Sequence, residues 1–214
     1  MCGAVLSIFS FASCAEHKSQ DNNLNEDRVV MGVKTDTATL ATGCFWCTEA
    51  IFQRLKGVVK VVSGYSGGHV ANPTYEEVCT GATGHAEACQ VIYDPAVVSF
   101  DELLKVFWKT HDPTTLNRQG NDVGTQYRSA VFYHNNYQKA RAEHFKAALD
   151  SSGVYSNPVV TAIEPFSNFY SAEEYHQDYF NSNPNQMYCR LVIQPKVAKF
   201  EKIFKDELKP GIGN

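Results

Sequence analysis

Along this chain the apolar residues alternate between helical and strand spacing. Cys47, Ile51 and Leu55 stand four apart with Phe52 beside them and Gly57 just beyond, which predicts an amphipathic helix and its stop. The β-branched run over 37–42 predicts a buried strand that enters a turn at Gly43. A second strand is expected from Val58 into the glycine-rich turn 64–68. Asn72 and Pro73 read as the cap and first residue of a short helix ending at Gly81, with Tyr75 in its first turn. Residues 84–93 read as a loop entering a strand near Glu87, broken by Asp94-Pro95. Ser99 and Glu102 form a capping box ahead of Leu103, Leu104, Phe107 and Trp108, predicting a helix to about Thr110.

The second half continues the alternation. A strand is predicted over 129–133, then a helix from Asn135 to Gly153 with Ala140, Phe145, Ala148 and Leu149 inward, then a strand over 158–163. A second capping box at Ser171–Glu174 introduces an aromatic turn of helix through Tyr175, His176 and Tyr179, and a last helix spans Val197 to Leu208. Interleaved strands and helices without an internal repeat give an α+β fold.

Composition narrows the setting. The 214 residues, 43% of them hydrophobic, can bury one core without staples, so one domain over 36–214 is expected. A net charge of −4 with no basic run gives no electrostatic reason for nucleic acid to bind. Residues 1–35 read as a signal-like segment and a polar linker, and Phe11-Ala12-Ser13-Cys14 resembles a bacterial lipoprotein cleavage box. That implies a bacterial cell-envelope location, with a lipid on Cys14 as the membrane contact; the departure is that no Lys or Arg precedes the apolar run, and a cytoplasmic location is the alternative.

The candidate chemistry sits where the first strand meets the first helix. A cysteine at a helix N-terminus has its thiolate stabilised, so Cys44 reads as a nucleophile. Cys44 and Cys47 form a C-x-x-C pair on one face, but no second pair supplies zinc ligands, and no metal or cofactor is expected. Cys79 and Cys89 are assigned to the core. The stretch 111–128 is polar, turn-rich and too long for an idle loop, which makes it a second functional segment.

Four ordered motifs then point one way: Gly43-Cys44-Phe45-Trp46; Gly64-Tyr65-Ser66-Gly67-Gly68 with Asn72-Pro73-Thr74-Tyr75; Thr83-Gly84-His85-Ala86-Glu87-Ala88; and Gly120-Asn121-Asp122-Val123-Gly124-Thr125-Gln126-Tyr127-Arg128-Ser129. Over residues 41–189 the chain resembles the methionine sulfoxide reductase A proteins. The resemblance implies a two-layer α/β sandwich of ferredoxin-like type with a mixed sheet, acting as a monomer. It also implies reduction of methionine S-sulfoxide, free or in oxidised proteins, without a cofactor. In those roles Cys44 attacks the sulfoxide sulfur, and Glu87, its pKa raised by burial, is the acid. Tyr75 and Tyr127 donate to the oxygen, Asp122 fixes the hydrogen-bond network, and Phe45 and Trp46 hold the S-methyl group. The resulting sulfenic acid condenses with a second thiol, either Cys47 or Cys189, or is reduced directly, and thioredoxin or a similar dithiol restores the enzyme. Two other functions remain: a general thiol-disulfide oxidoreductase using Cys44 and Cys47, and a thiol-bearing binding module.

Overall fold

The strand that ends at Gly43 becomes the middle of a six-stranded sheet. The computed structural model describes residues 29–30 and 33–213, with side chains from Lys34 onward. The lipoprotein-like segment with Cys2 and Cys14 lies outside the described residues. In chain order the strands are β1 (Val29–Val30), β2 (Val33–Lys34), β3 (Asp36–Thr42), β4 (Val58–Ser66), β5 (Ala86–Tyr93), β6 (Arg118–Gln119), β7 (Asp122–Val123), β8 (Ser129–Tyr133), β9 (Ala162–Pro165) and β10 (Phe169–Ser171). The helices are α1 (Phe45–Phe52), α2 (Tyr75–Cys79), α3 (Phe100–Thr110), α4 (Asn136–Ser151), α5 (Tyr179–Ser182) and α6 (Gln194–Ile203).

The sheet order is β10-β4-β5-β3-β8-β9. Its inner four strands are antiparallel, and with α1 after β3 and α3 after β5 they trace the β-α-β-β-α-β path of the ferredoxin-like sandwich. β9 joins β8 in parallel and makes the sheet mixed. One face carries the main core, where Leu40, Ile51, Leu103, Phe107 and Phe200 are all at most 3% exposed. Each such side chain stabilises the fold by about 1.5–3 kcal/mol through burial. A smaller cluster of Ala41, Ala86, Ala88, Ala130 and Phe132 lies apart from it, because neighbours in a strand point to opposite faces.

Tertiary contacts moved several predicted boundaries. α1 stops at Phe52, and Leu55 instead bridges to Leu208, the C-terminal segment taking the Arg54 carbonyl through Lys209 N–H at 2.9 Å. α2 is capped by Thr74 rather than Asn72: the Thr74 Oγ1 accepts from Glu77 N–H, and the Glu77 carboxylate accepts from Thr74 N–H. In α4, Gln138 and Ala142 face inward while Ala140 and Ala148 are exposed. The strand expected over 158–163 begins at Ala162, since Val160 N–H donates to Pro113 instead. The box at Ser171–Glu174 does not form, because Ser171 is the last residue of β10 and the chain turns only after Glu173, into a 3-10 turn over Glu174–His176. α6 starts earlier, at Gln194, behind a π-helical turn over Cys189–Ile193, and leaves helical geometry at Phe204.

Gly43 holds the turn between β3 and α1. Its φ is +96°, and a Cβ there would lie 2.5 Å from the Gln119 Cβ, so the glycine both turns the chain and lets the 111–128 segment close over the junction. Gly43→Ala is expected to lower stability by about 1–3 kcal/mol, measured as the urea midpoint, and to reduce Cys44 reactivity with it. An unchanged midpoint would contradict this account of the turn.

Candidate active site

Cys44 is the N-cap of α1, with φ −57° and ψ 123°. Its carbonyl accepts from Cys47 N–H at 3.1 Å and Thr48 N–H at 3.3 Å, and the Thr48 hydroxyl bonds Thr42 at 2.6 Å, so the turn is tied from both sides. β5 delivers the next group. Glu87 and Cys89, two apart, share the face under α1: Glu87 Oε2 accepts from Phe45 N–H at 3.0 Å, and the Cys89 thiol donates to the Phe45 carbonyl at 3.5 Å.

A cavity of about 190 Å³ collects the site. Cys44, Phe45, Trp46, Tyr75, Glu87, Asp122 and Tyr127 line it, which places every residue predicted for catalysis or substrate binding in one space. Tyr188, not singled out from the sequence, lines it too. The 111–128 segment supplies its part as a short β6–β7 hairpin carrying Asp122, followed by a 3-10 turn over Thr125–Tyr127. Asp122 Oδ2 accepts from the Tyr188 hydroxyl at 2.7 Å, and that hydroxyl also reaches the Cys44 sulfur.

Around this space lies an aromatic wall with its own supports. The Trp46 ring stacks on Tyr179 at 3.7 Å between centroids, and its indole N–H donates to His176 Nδ1 at 3.1 Å. Glu49, buried in α1 and raised to about 7 chiefly by that burial, receives the Asp178 and Tyr179 N–H groups and so holds the Tyr179 segment against α1. Glu173 joins Tyr65 hydroxyl at 2.8 Å to Tyr75 N–H at 2.9 Å, fixing the start of α2. Sequence gave no signal for Glu173, His176, Tyr179 or Tyr188 in these roles, because each acts across more than 60 residues and none shows periodic spacing.

Electrostatics divides the acidic groups. Burial, opposed only in part by the Phe45 N–H, raises Glu87 to about 8, with Asp122 and Cys47 adding to the rise. This carboxyl is therefore protonated at neutral pH. Tyr75 and Tyr127 are likewise pushed up by burial and remain hydroxyl donors. The expected lowering of Cys44 by its helix is reversed: burial, the Cys47 sulfur and Glu87 push the Cys44 thiol up, and the Tyr188 hydroxyl only partly compensates. Cys47 moves down, because Cys44 S–H donates to it and the Lys196 ammonium lies 3.7 Å away.

The remaining cysteines separate cleanly. Cys44 and Cys47 face each other at the start of α1, where Cys44, as the N-cap, lies outside the helical dihedrals. Cys189 is fully buried in the main core, on the π-helical turn. Cys89 is buried as expected, whereas Cys79 is exposed at the end of α2 rather than in the core. Among the described residues no cluster of His, Cys, Asp and Glu could hold a metal ion.

A buried thiol beside a protonated carboxyl and hydroxyl donors can attack a soft electrophile while its oxygen is protonated, so the fold and site define a thiol-based oxidoreductase. Residues 36–208 match the family model for peptide methionine sulfoxide reductase. The chain is 55% identical over 187 residues to peptide methionine sulfoxide reductase MsrA 1 of Rhodopirellula baltica, covering 86% of this chain and 96% of that one. It is 54% identical to MsrA of Saccharolobus solfataricus, covering 81% of this chain and 97% of that one. Among solved structures, reduced Mxr1 from Saccharomyces cerevisiae superposes with a TM-score of 0.68 at 39% identity, over 72% of this chain and 89% of that one. Methionine sulfoxide reductase A of Corynebacterium diphtheriae gives 0.65 at 40% identity, over 71% of this chain and 76% of that one. The chain belongs to the peptide methionine sulfoxide reductase family.

The Glu87 carboxyl generates two expectations. Glu87→Gln should slow single-turnover product formation by about 10²–10⁴-fold, and the wild-type rate should fall as pH rises through about 8, where Glu87 loses its proton. Because its folded pKa lies above the ordinary carboxyl value of 4.5, Glu87 stabilises the fold fully below that value and this contribution is lost as pH rises toward about 8. Urea midpoints across that window should decline less in Glu87→Gln; an equal decline would place the proton elsewhere.

Proposed function

We propose that the enzyme reduces the S epimer of methionine sulfoxide, free and in oxidised proteins, through a covalent cycle on Cys44. The observation that carries this reading is the buried Glu87 carboxyl, its pKa raised by that burial, sharing a cavity of about 190 Å³ with Cys44. A sulfoxide sulfur is a poor electrophile until its oxygen is protonated or strongly hydrogen-bonded. Cys44 attacks that sulfur as Glu87 gives its proton to the oxygen, with Tyr75 and Tyr127 donating to the same oxygen as charge develops. The Cys44 S–H proton passes to the Cys47 sulfur it faces and returns to the Glu87 carboxylate as the sulfoxide S–O bond breaks and the hydroxyl moves to the Cys44 sulfur. Asp122, accepting the Tyr188 proton, holds that hydroxyl at the cavity beside the Cys44 sulfur. Phe45 and Trp46 form the apolar wall for the S-methyl group.

The products of this half-reaction are methionine and a Cys44 sulfenic acid. Cys47 then closes a disulfide with Cys44, releasing water, and thioredoxin or a similar dithiol reduces it. Cys47 is favoured because the two thiols already face each other, whereas Cys189 would have to leave the core. General disulfide exchange through the same pair is the competing outcome.

Methionine formed per enzyme molecule, without reductant, decides among these. The S epimer alone should give about one methionine per enzyme in wild type and in Cys189→Ser, with a Cys44–Cys47 disulfide found by mass spectrometry. Cys47→Ser should release the same methionine but accumulate sulfenic acid. No methionine from either epimer would discard the reductase cycle in favour of disulfide exchange.

A further inference from the structure

Lys196 enters no step described so far, yet it contacts one of the two cysteines of the proposed cycle. It stands in the first turn of α6, half-buried, with Nζ 3.7 Å from the Cys47 sulfur, which is 3% exposed. Lys196 also lines a groove of about 330 Å³ with His111, Asp112 and Gln119. We propose that Lys196 is the positioning residue of the second half-reaction, holding Cys47 as the anionic nucleophile that attacks the oxidised Cys44. This rests on the reading of Cys47 as the resolving thiol.

The charges around Cys47 make this contact decisive. Cys44 faces it from the start of its own helix, Asp122 from β7, Glu87 from β5, and Tyr188 and Cys189 from the segment before α6. All of these are neutral or negative. In the reduced protein Cys47 is drawn down first by the Cys44 S–H and next by Lys196, against burial and Asp122. Oxidation of Cys44 consumes that S–H and leaves the Lys196 ammonium, 3.7 Å away, as the largest remaining influence toward the thiolate. On the groove side His111 is fully buried and lowered to about 4 by that burial, so it stays neutral and does not compete with Lys196 for negative charge. Cys189 has the reverse environment, its thiol pushed up by burial and by Cys47.

The step balances as follows. The Cys47 thiolate attacks the sulfenyl sulfur of Cys44, the S–S bond forms, and the S–O bond breaks. Hydroxide leaves and takes a proton from solvent to become water. Cys47 sulfur is oxidised, the sulfenyl sulfur of Cys44 is reduced, and Lys196 keeps its proton throughout. A nearby ammonium raises the thiolate fraction, and attack on a sulfenic acid scales with that fraction.

The test separates the two half-reactions in Lys196→Met and Lys196→Arg. Reduced enzyme is mixed with methionine S-sulfoxide between pH 6 and 9, then quenched and alkylated; methionine, dimedone-labelled Cys44 and the Cys44–Cys47 disulfide are followed in time. Lys196→Met should release methionine but form the disulfide about three- to tenfold more slowly at pH 7, with trapped sulfenic acid and a deficit that closes as pH rises. Lys196→Arg should restore most of the rate. A thermal melt compares folding of the variants, and a merely structural role would slow disulfide formation equally at every pH, without rescue by Arg. A pH profile for disulfide formation identical in Lys196→Met and wild type would overturn the proposal. A disulfide joining Cys44 to Cys189 in wild type would instead overturn the reading of Cys47 on which it rests.

Discussion

The bond from the Phe45 N–H to the Glu87 carboxyl joins the two parts on which everything else depends. It links the first turn of α1 to the second residue of β5, and the same contact sets the depth at which Glu87 is buried. A buried carboxyl that accepted several strong donors would be held as an anion. Here one backbone donor positions the group while desolvation keeps its proton on. The donor that orients the carboxyl also favours its anion, so the acidity of Glu87 is the balance of that bond against burial, and a change to the contact alters both.

The ferredoxin-like path explains why these groups meet. β3 and β5 are neighbours in the sheet, and α1 crosses their shared face, so Cys44 at the exit of β3 lands over the beginning of β5. Residues 118–127 are closed over that junction because Gly43 leaves room for Gln119. The C-terminal stretch completes the cavity from outside the four-strand path, supplying Tyr188 to its lining and the Tyr179 ring as a support stacked on Trp46. A common fold thus receives its particular chemistry from two irregular segments packed against one helix start.

Most of the sheet and helices were legible because local signals agreed with tertiary packing: the Ser99–Glu102 box caps α3, and the 37–42 run is the central strand. Several boundaries moved where a distant partner took a backbone group, as the Pro113 carbonyl does with the Val160 N–H or the Glu173 carboxylate with the Tyr75 N–H. Of the residues lining the cavity, all but Tyr188 were carried by motifs. Their supports were not, since Tyr188 and Lys196 reach the site only through contacts 66 and 149 residues long. The charge of Cys44 was misread because helix-end electrostatics is a local argument, whereas the burial that dominates is a property of the whole fold.

Tyr188 and Cys189 are consecutive, one pointing at the catalytic cavity and the other sealed in the core behind a π-helical turn. Their adjacency makes two states of the enzyme mutually exclusive. Any excursion that brought Cys189 out toward Cys44 would drag the Tyr188 hydroxyl off Asp122 and open the substrate chamber. A chain using that route would alternate between an assembled chamber and a dismantled one in every cycle. With closure through Cys47, oxidised and reduced forms share one architecture, and the chamber stands ready for the next substrate as soon as the disulfide is reduced.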